Sequence, residues 1–331
     1  MSLFGPDPIC PMSGPDPVLG RGKMDGVGGE GRKPAMRGKV VLEAPAKINL
    51  YLEVGPRRAD GYHPVRTVLQ AVELCDLVEV ELAEGGEGLE LEVEGDAPLG
   101  EENLCHRAGE AFLAAAGLRA GVRVRLSKRI PRAAGLGGGS SDAAAVLRAL
   151  NFLAGETVAR DELLRTAASL GSDVPYFLVG GTALGEGRGE RVTPLAQAPP
   201  LPVVLVNPGS GLATEEVYRR FDLRGGDEPP RAGLDLLVEA LPGGDVARIA
   251  PLLFNSLQSA ACELMPEAES CLQKGRQAGA AGALVSGSGP TVFLLARTEG
   301  EAAGLERKMR GVAPLVFLTR FRSAGVSLSS G

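Results

Sequence analysis

Apolar and polar positions alternate from Ile48 to Val54, the period of a half-buried strand. Residues 68–82 and 88–94 repeat that alternation with acidic residues on the wet side, and Val122 to Leu126 reads Val, Arg, Val, Arg, Leu. All four segments are predicted strands, and ordered structure is expected from about Lys39. Between them, residues 103–116 carry helical spacing and stop before Gly117, a residue suited to the left-handed turn that ends a helix. An alanine-rich segment from Ser141 to Leu153 and the segment from Asp161 to Leu170, closed by Gly171, predict two more helices. Apolar stretches at 176–184 and 203–206 predict strands. Helical patterns return at 233–241, 245–264 and 266–278. Ala283 to Val285 then leads into the turn Ser286-Gly287-Ser288-Gly289-Pro290, followed by a strand at 291–296, a helix at 300–310 and a strand at 314–321. Strands cluster first and a mixed succession follows, so the pattern predicts an α+β protein of two lobes rather than a doubly wound sheet.

Residues 1–38 hold nine glycines and six prolines without apolar periodicity, so they are read as a disordered extension, with Met36 an alternative start. No apolar core of a signal peptide occurs there, and Asp7, Asp16, Asp25 and Glu30 fit poorly with a transit peptide. Gly225 to Arg231, rich in Gly, Pro and charge, reads as a loop. The expected units are 39–197, 198–325 and a short tail at 326–331.

Composition narrows the chemistry. The net charge of −6 speaks against a nucleic-acid partner, which calls for a basic surface. No apolar run is long enough to span a membrane. Cys10, Cys75, Cys105, Cys262 and Cys271 form no Cys-x-x-Cys pair, and their odd number suits reduced thiols in the cytoplasm. His63 and His106 are the only histidines, too few for a multi-histidine metal site.

The strongest local signal is Pro131-Arg132-Ala133-Ala134-Gly135-Leu136-Gly137-Gly138-Gly139-Ser140-Ser141-Asp142, set between a predicted strand and a predicted helix. Glycines let backbone N–H groups approach an anion unobstructed, and the helix start adds unpaired donors and the positive end of its dipole. Ser140 and Ser141 can cap the helix or offer hydroxyls to phosphate and Mg²⁺. The spacing is neither that of a Walker loop nor of a dinucleotide fingerprint. A tight turn before a capped helix is the plainer alternative. Taken alone, Lys47 reads as a solvated strand lysine, Asp173 as a helix cap ahead of Pro175, and Tyr62-His63, beside the Asp60-Gly61 turn, as a core tyrosine and a surface histidine.

The glycine segment resembles the nucleotide loop of the GHMP kinases. Two further blocks, Ala44-Pro45-Ala46-Lys47-Ile48-Asn49-Leu50 with Arg58-Ala59-Asp60-Gly61-Tyr62-His63, and Leu170-Gly171-Ser172-Asp173-Val174-Pro175-Tyr176-Phe177, resemble the branch of that family acting on a diphosphocytidyl-methylerythritol alcohol. Asn207-Pro208-Gly209 and Ser286-Gly287-Ser288-Gly289 match later blocks, and the resemblance spans roughly residues 40–325.

The resemblance implies the two-lobed GHMP kinase fold, with an N-lobe like the second domain of ribosomal protein S5 and a ferredoxin-like C-lobe. It implies ATP and Mg²⁺, with residues 131–141 holding the nucleotide and the cleft lying between the lobes. It implies Lys47 and Asp173 as the catalytic pair, the carboxylate accepting a hydroxyl proton and the ammonium offsetting developing charge. Strand alternation puts Lys47 and Asn49 on one face, with Ile48 and Leu50 on the other. On the substrate side the resemblance implies Tyr62, His63 and Tyr218 around a cytosine, Thr214 nearby, and Asn49 at the alcohol end. The metal ligands stay open, and so does the choice between monomer and homodimer. Another GHMP kinase, of homoserine or phosphomevalonate type, is the alternative, opposed by the Asp-Gly-Tyr-His block. A nucleotide-binding sensor without catalysis is a second, opposed by the presence of both Lys47 and Asp173. A partner-binding protein acting through its Gly/Pro-rich head is a third.

Overall fold

The computed structural model describes residues 38–84, 86, 88–225 and 233–329. The reading of residues 1–37 and most of the loop at 225–231 lie outside them. In chain order the elements are β1 (Gly38–Val54), β2 (Val65–Glu84), β3 (Leu89–Glu94), α1 (Leu104–Ala116), β4 (Ala120–Ser127), α2 (Gly138–Leu153), α3 (Arg160–Leu170), α4 (Val174–Val179), β5 (Thr182–Gly187) and β6 (Arg191–Pro194). There follow β7 (Pro202–Asn207), α5 (Thr214–Arg224), α6 (Gly233–Ala240), α7 (Val246–Ile249), β8 (Phe254–Asn255), α8 (Gln258–Leu264), α9 (Pro266–Gln277), β9 (Gly282–Val285), β10 (Val292–Leu295), α10 (Glu299–Met309), β11 (Leu315–Arg322) and β12 (Ser327–Leu328).

Two long antiparallel strands, β1 and β2, carry the first half of the molecule. The far edge of β2 is shared along its length by β5, then β11, then β4. In the second half the spatial order is β11-β7-β10-β9, with every pair antiparallel. Numbered along the chain as first to fourth, that order is 4-1-3-2, with helices after the first and third strands, the ferredoxin-like arrangement. β11 pairs with β2 as well as β7, so one mixed sheet joins the halves.

β1 feeds three separate cores. Leu42 and Ala44 enter the first, Ala46, Ile48, Leu50 and Tyr51 the second, and Leu52 and Val54 the third. Register shifts between Pro45 and Ala46 and between Asn49 and Tyr51 turn the strand from one core to the next. Irregular registers of this kind re-aim side chains beside functional sites, and these two flank Lys47 and Asn49.

Four sequence readings change. The segment 176–184 is not one strand: α4 occupies Val174–Val179, and β5 begins only at Thr182. Pro175 sits in the first turn of α4, and Gly180 and Gly181 both take positive φ to leave it. α4 is largely buried, and a short all-apolar run does not reveal its period. The helix read over 245–264 is interrupted by Pro251 and by β8, whose Asn255 side chain accepts the Leu257 N–H and starts α8. The segment after Thr214, left unassigned by its pattern, forms α5. Within the segment read as a tail, Val326 is buried and β12 adds to the edge of β1 through Leu42 and Glu43.

Candidate active site

Lys47 points from β1 into a deep cleft, with its Nζ donating to Asn49 Oδ1 at 2.7 Å. Asn49 Nδ2 in turn donates to Thr67 Oγ1 (2.8 Å), and Thr67 Oγ1 to the Tyr51 carbonyl (2.7 Å). This chain fixes the lysine's direction, since each polar atom in it is committed to a neighbour. Asp173 Oδ2 stands 3.8 Å from Lys47 Nζ. Burial pushes the Lys47 ammonium below its ordinary range, and the Asp173 charge opposes that shift. Asp173 takes the N-cap position of α4, but its side chain makes no capping bond. Its carboxylate is 38% exposed, against 6% for the lysine side chain, and so stays open to the cleft.

The glycine loop is tied to the same strand. Lys47 N donates to the Leu136 carbonyl at 2.9 Å, and the Leu136 side chain is buried in the second core. Gly137, at φ 71, is the N-cap of α2 and supplies no capping side chain, leaving the helix N-terminus open. A methyl group at Gly137 would lie 2.8 Å from the Phe177 ring and 3.2 Å from Lys47 Cγ. At Gly135, φ 76, it would lie 2.1 Å from the Ser286 carbonyl oxygen. The loop therefore packs on the Ser286–Pro290 turn, and Ser286 Oγ donates to the Gly135 carbonyl at 2.9 Å. Asn255 Nδ2 holds that turn through the Val285 and Gly287 carbonyls, each at 2.8 Å.

A buried ionic cluster that the sequence reading missed underlies the loop. Lys128 Nζ binds Asp142 Oδ2 at 2.7 Å and also Asp76 Oδ2, while Asp76 Oδ1 accepts from Arg129 N and Ile130 N. Asp76 thus holds the start of the loop and Asp142 the first turn of α2, with one ammonium between them. Burial pushes the Asp142 carboxyl up to about 8 against the pull of Lys128, and Asp76 adds to the rise. Burial works against the Lys128 charge, but Asp142 and Asp76 outweigh it and hold the ammonium above its ordinary range. Lys128 and Asp142 flank the glycine motif, yet Asp76 lies on β2, and nothing local in the sequence links it to them.

The cleft measures about 1000 Å³. It collects Lys47, Asn49, Asp173, Pro131 to Gly135, Gly137 to Ser140, Tyr62, His63, Thr214 and Tyr218. Of the residues singled out from the sequence, Leu136 and Ser141 lie outside its wall, Leu136 as a core anchor and Ser141 buried, its Oγ without a hydrogen-bond partner among the described residues.

At the far arm Tyr62 and His63 part company. Tyr62 is 54% exposed, with the Arg188 guanidinium 4.9 Å above its ring centroid. His63 is buried, with Nδ1 2.9 Å from the Gly55 carbonyl and Nε2 3.2 Å from Asp222 Oδ1. Its ring lies against Tyr218, centroids 5.4 Å apart, and edge-on to Phe221. Burial, aided by the Asp173 charge, pushes the Tyr218 phenol up to about 12, so it remains a hydrogen-bond donor at neutral pH. Thr214 Oγ1 and Ser288 Oγ share a bond of 2.9 Å, linking α5 to the Ser286–Pro290 turn.

Comparison with known proteins gives this geometry its family. Residues 103–181 match the GHMP kinases N terminal domain and residues 237–314 the GHMP kinases C terminal. A 4-diphosphocytidyl-2-C-methyl-D-erythritol kinase of Pelotomaculum thermopropionicum is 47% identical over 278 residues, 84% of this chain and 96% of that protein. The kinase of the same name from Nocardioides sp. is 43% identical over 295 residues, 87% of this chain and 99% of its own. A crystal structure of 4-(cytidine 5'-diphospho)-2C-methyl-D-erythritol kinase matches with a TM-score of 0.73 at 40% identity, over 85% of this chain and 98% of that one. Homoserine kinase from Cytophaga hutchinsonii shares the fold, with a TM-score of 0.70 at 20% identity, over 88% of this chain and 97% of its own. From its matched halves, its sheet order and its long relatives, the chain belongs to the GHMP kinase family, in the group of the 4-diphosphocytidyl-2-C-methyl-D-erythritol kinases.

Proposed function

We propose that the protein transfers the γ-phosphoryl group of ATP to the 2-hydroxyl of 4-diphosphocytidyl-2-C-methyl-D-erythritol, giving the 2-phosphate and ADP, a step in isoprenoid precursor synthesis. The observation that carries this reading is the Lys47–Asp173 pair, 3.8 Å apart, facing the cleft beside the uncapped N-terminus of α2. Two catalytic side chains from distant segments meet beside a phosphate cradle, as in-line transfer to an alcohol requires.

In this mechanism the Gly137–Ser140 amides and the α2 dipole hold the triphosphate. The substrate hydroxyl oxygen bonds to the γ-phosphorus as the bond from that phosphorus to the β–γ bridging oxygen breaks. The hydroxyl proton passes to Asp173, whose carboxylate is free of capping duty. Lys47, held by Asn49, offsets the charge that grows on the reacting oxygens. Asn49, fixed by Thr67, meets the alcohol end.

Mg²⁺ fits the donors present: Ser140 lines the cleft beside the phosphate cradle, and this cation takes most of its ligands from phosphates and water. When bound, it neutralises charge on the β- and γ-phosphates. Residues 39–197 would form the ATP-binding unit and 198–325 the second unit. Cys75, Cys105, Cys262 and Cys271 are free thiols, which suits a cytoplasmic enzyme. Among the described residues no helix is long and apolar enough to cross a membrane.

The test is ADP release from MgATP with the diphosphocytidyl alcohol, homoserine, phosphomevalonate or no acceptor. Release should depend on the diphosphocytidyl compound. Equal or faster release with another alcohol would end this reading.

A further inference from the structure

The diphosphate of the proposed substrate must lie between its base and its reacting alcohol, so whatever holds it sits between Tyr62 and Asp173. This inference rests on the substrate reading above. Between those residues the structure places the β5–β6 hairpin, whose tip is Gly187-Arg188-Gly189. Gly189 N donates to the Glu186 carbonyl at 3.0 Å, and Arg188 N to Glu190 Oε2 at 2.6 Å, so the turn is pinned on both sides. A methyl group on Gly189 would stand 3.9 Å from Asp173 Oδ1, which sets the tip against the catalytic carboxylate. From there the Arg188 side chain reaches the face of Tyr62, 4.9 Å from its centroid. One residue thus spans the interval that the diphosphate must occupy.

Of the other cations of the cleft, Arg132 stands on the glycine loop, away from the β5–β6 hairpin, and the rest are engaged within the protein. Lys47 is bonded to Asn49 and faces Asp173, and Lys128 is locked between Asp76 and Asp142. Arg219 pairs with Glu216, and Arg57 turns its Nε to the Gly61 carbonyl. Arg188 has no carboxylate partner among the described residues and stacks on an aromatic ring, which leaves its N–H edge for a ligand. A guanidinium so held can grip two phosphate oxygens at once, which an ammonium cannot.

We propose that Arg188 is the diphosphate clamp of the substrate arm, selecting a nucleoside diphosphate ester over the bare nucleoside and setting the distance from base to attack point. Its loss therefore weakens substrate binding more than it slows the chemical step.

The experiment compares wild type, Arg188→Ala and Arg188→Lys. It measures steady-state KM and kcat with the diphosphocytidyl substrate, KM for ATP, and calorimetric binding of CDP and of cytidine. Arg188→Ala should raise the substrate KM and the CDP Kd by about 10- to 100-fold. Cytidine binding should change less than about threefold, with the ATP KM held. Arg188→Lys should fall between, restoring charge without the bidentate fork. Equal weakening of CDP and cytidine in Arg188→Ala would overturn the clamp and leave Arg188 a support for Tyr62. Unchanged binding of both would overturn it outright. A wild type that binds CDP but does not turn over the diphosphocytidyl substrate would overturn the reaction assigned above. In that case the CDP-to-cytidine ratio still decides Arg188.

Discussion

At the proposed phosphate end of the cleft much of the lining is glycine-loop backbone. The uncapped first amides of α2 present N–H groups, and side chains nearby, such as Ser286 on the Gly135 carbonyl, hold the loop backbone still. At the base end the lining is side chain, with Tyr62, His63, Arg188 and Tyr218 arriving from three separate stretches of sequence. The first end is largely half-buried but braced from behind by Asp76 and Asp142, whereas Tyr62 and Arg188 at the second are exposed. Backbone sites bind what every nucleotide shares, its phosphates, while side-chain sites can tell one substrate from another. Stability and affinity should accordingly be coupled where the lining is packed from behind, as at Gly137 and His63, and separable where it is open, as at Gly139 and Tyr62.

The largest effect lies where the ends meet. Asp173→Asn should lower single-turnover kcat by about 10²- to 10⁴-fold, the range for loss of a positioned base. Its melting temperature should hold, because the carboxylate caps nothing and is open to the cleft. Rapid-quench phosphoryl transfer with calorimetric ATP binding checks both. Near-normal transfer would remove the general base, and weakened ATP binding would move Asp173 to the phosphate end.

Next come two loop glycines. Gly137→Ala forces a left-handed residue and drives a methyl into Phe177 and Lys47, and should cost about 2–4 kcal/mol of stability. Gly139→Ala meets nothing nearer than Leu104 Cδ1 at 3.9 Å, and should hold stability within about 1 kcal/mol. Both should raise the ATP KM, the second only by crowding the phosphates. Equal melting temperatures would break the claim that this end is braced from behind.

The brace itself predicts a pH dependence. Folding raises the Asp142 carboxyl from its ordinary 3.8 to about 8. Below the lower value both folded and unfolded chains hold the proton. Between the two, the unfolded chain releases it while the folded one keeps it. The group's contribution to stability is therefore present at low pH and lost as pH rises through about 8. Asp142→Asn, neutral throughout, should gain melting temperature relative to wild type progressively as pH rises from 3.8 to about 8, and keep that gain above it. Asp76→Asn should lose it at every pH, since Asp76 also holds Arg129 N and Ile130 N. A flat difference for Asp142→Asn would show that the carboxylate keeps its charge in place.

Legibility in the sequence follows the same division. The glycine loop could be read because its physics is local: consecutive glycines between a strand and a helix already describe an anion cradle. β3, β4 and the second half of β2 could be read because one face is wet, and β1 because Asn49 and Glu53 punctuate its apolar residues even though most of the strand is buried. α4 could not, because burial on nearly every side erases its period, so the helix beginning at Val174 looked like a strand from Tyr176 onward. The brace escaped because Asp76 reaches Lys128 only through the pairing of β2 with β4. Arg188 escaped for a similar reason, since a hairpin arginine is ordinary until the fold sets it over Tyr62. Tyr62 and His63 were singled out together, but adjacency on an extended chain sends neighbours to opposite sides, one into the packing and one to the rim.

That last division supplies the smallest and sharpest test. Tyr62→Ala removes an exposed ring whose contacts are with the cleft and Arg188, so its stability should stay within about 0.5 kcal/mol of wild type. The diphosphocytidyl KM should still rise about tenfold, the scale of one base–aromatic stack. Tyr62→Phe should restore that KM, because stacking asks for the ring and not the hydroxyl. His63→Ala removes a buried ring that meets the Gly55 carbonyl, Asp222, Tyr218 and Phe221, and should lower stability and substrate affinity together. If Tyr62→Ala instead lost stability while His63→Ala lost only affinity, the buried wall and the open rim of the base end would have to be exchanged.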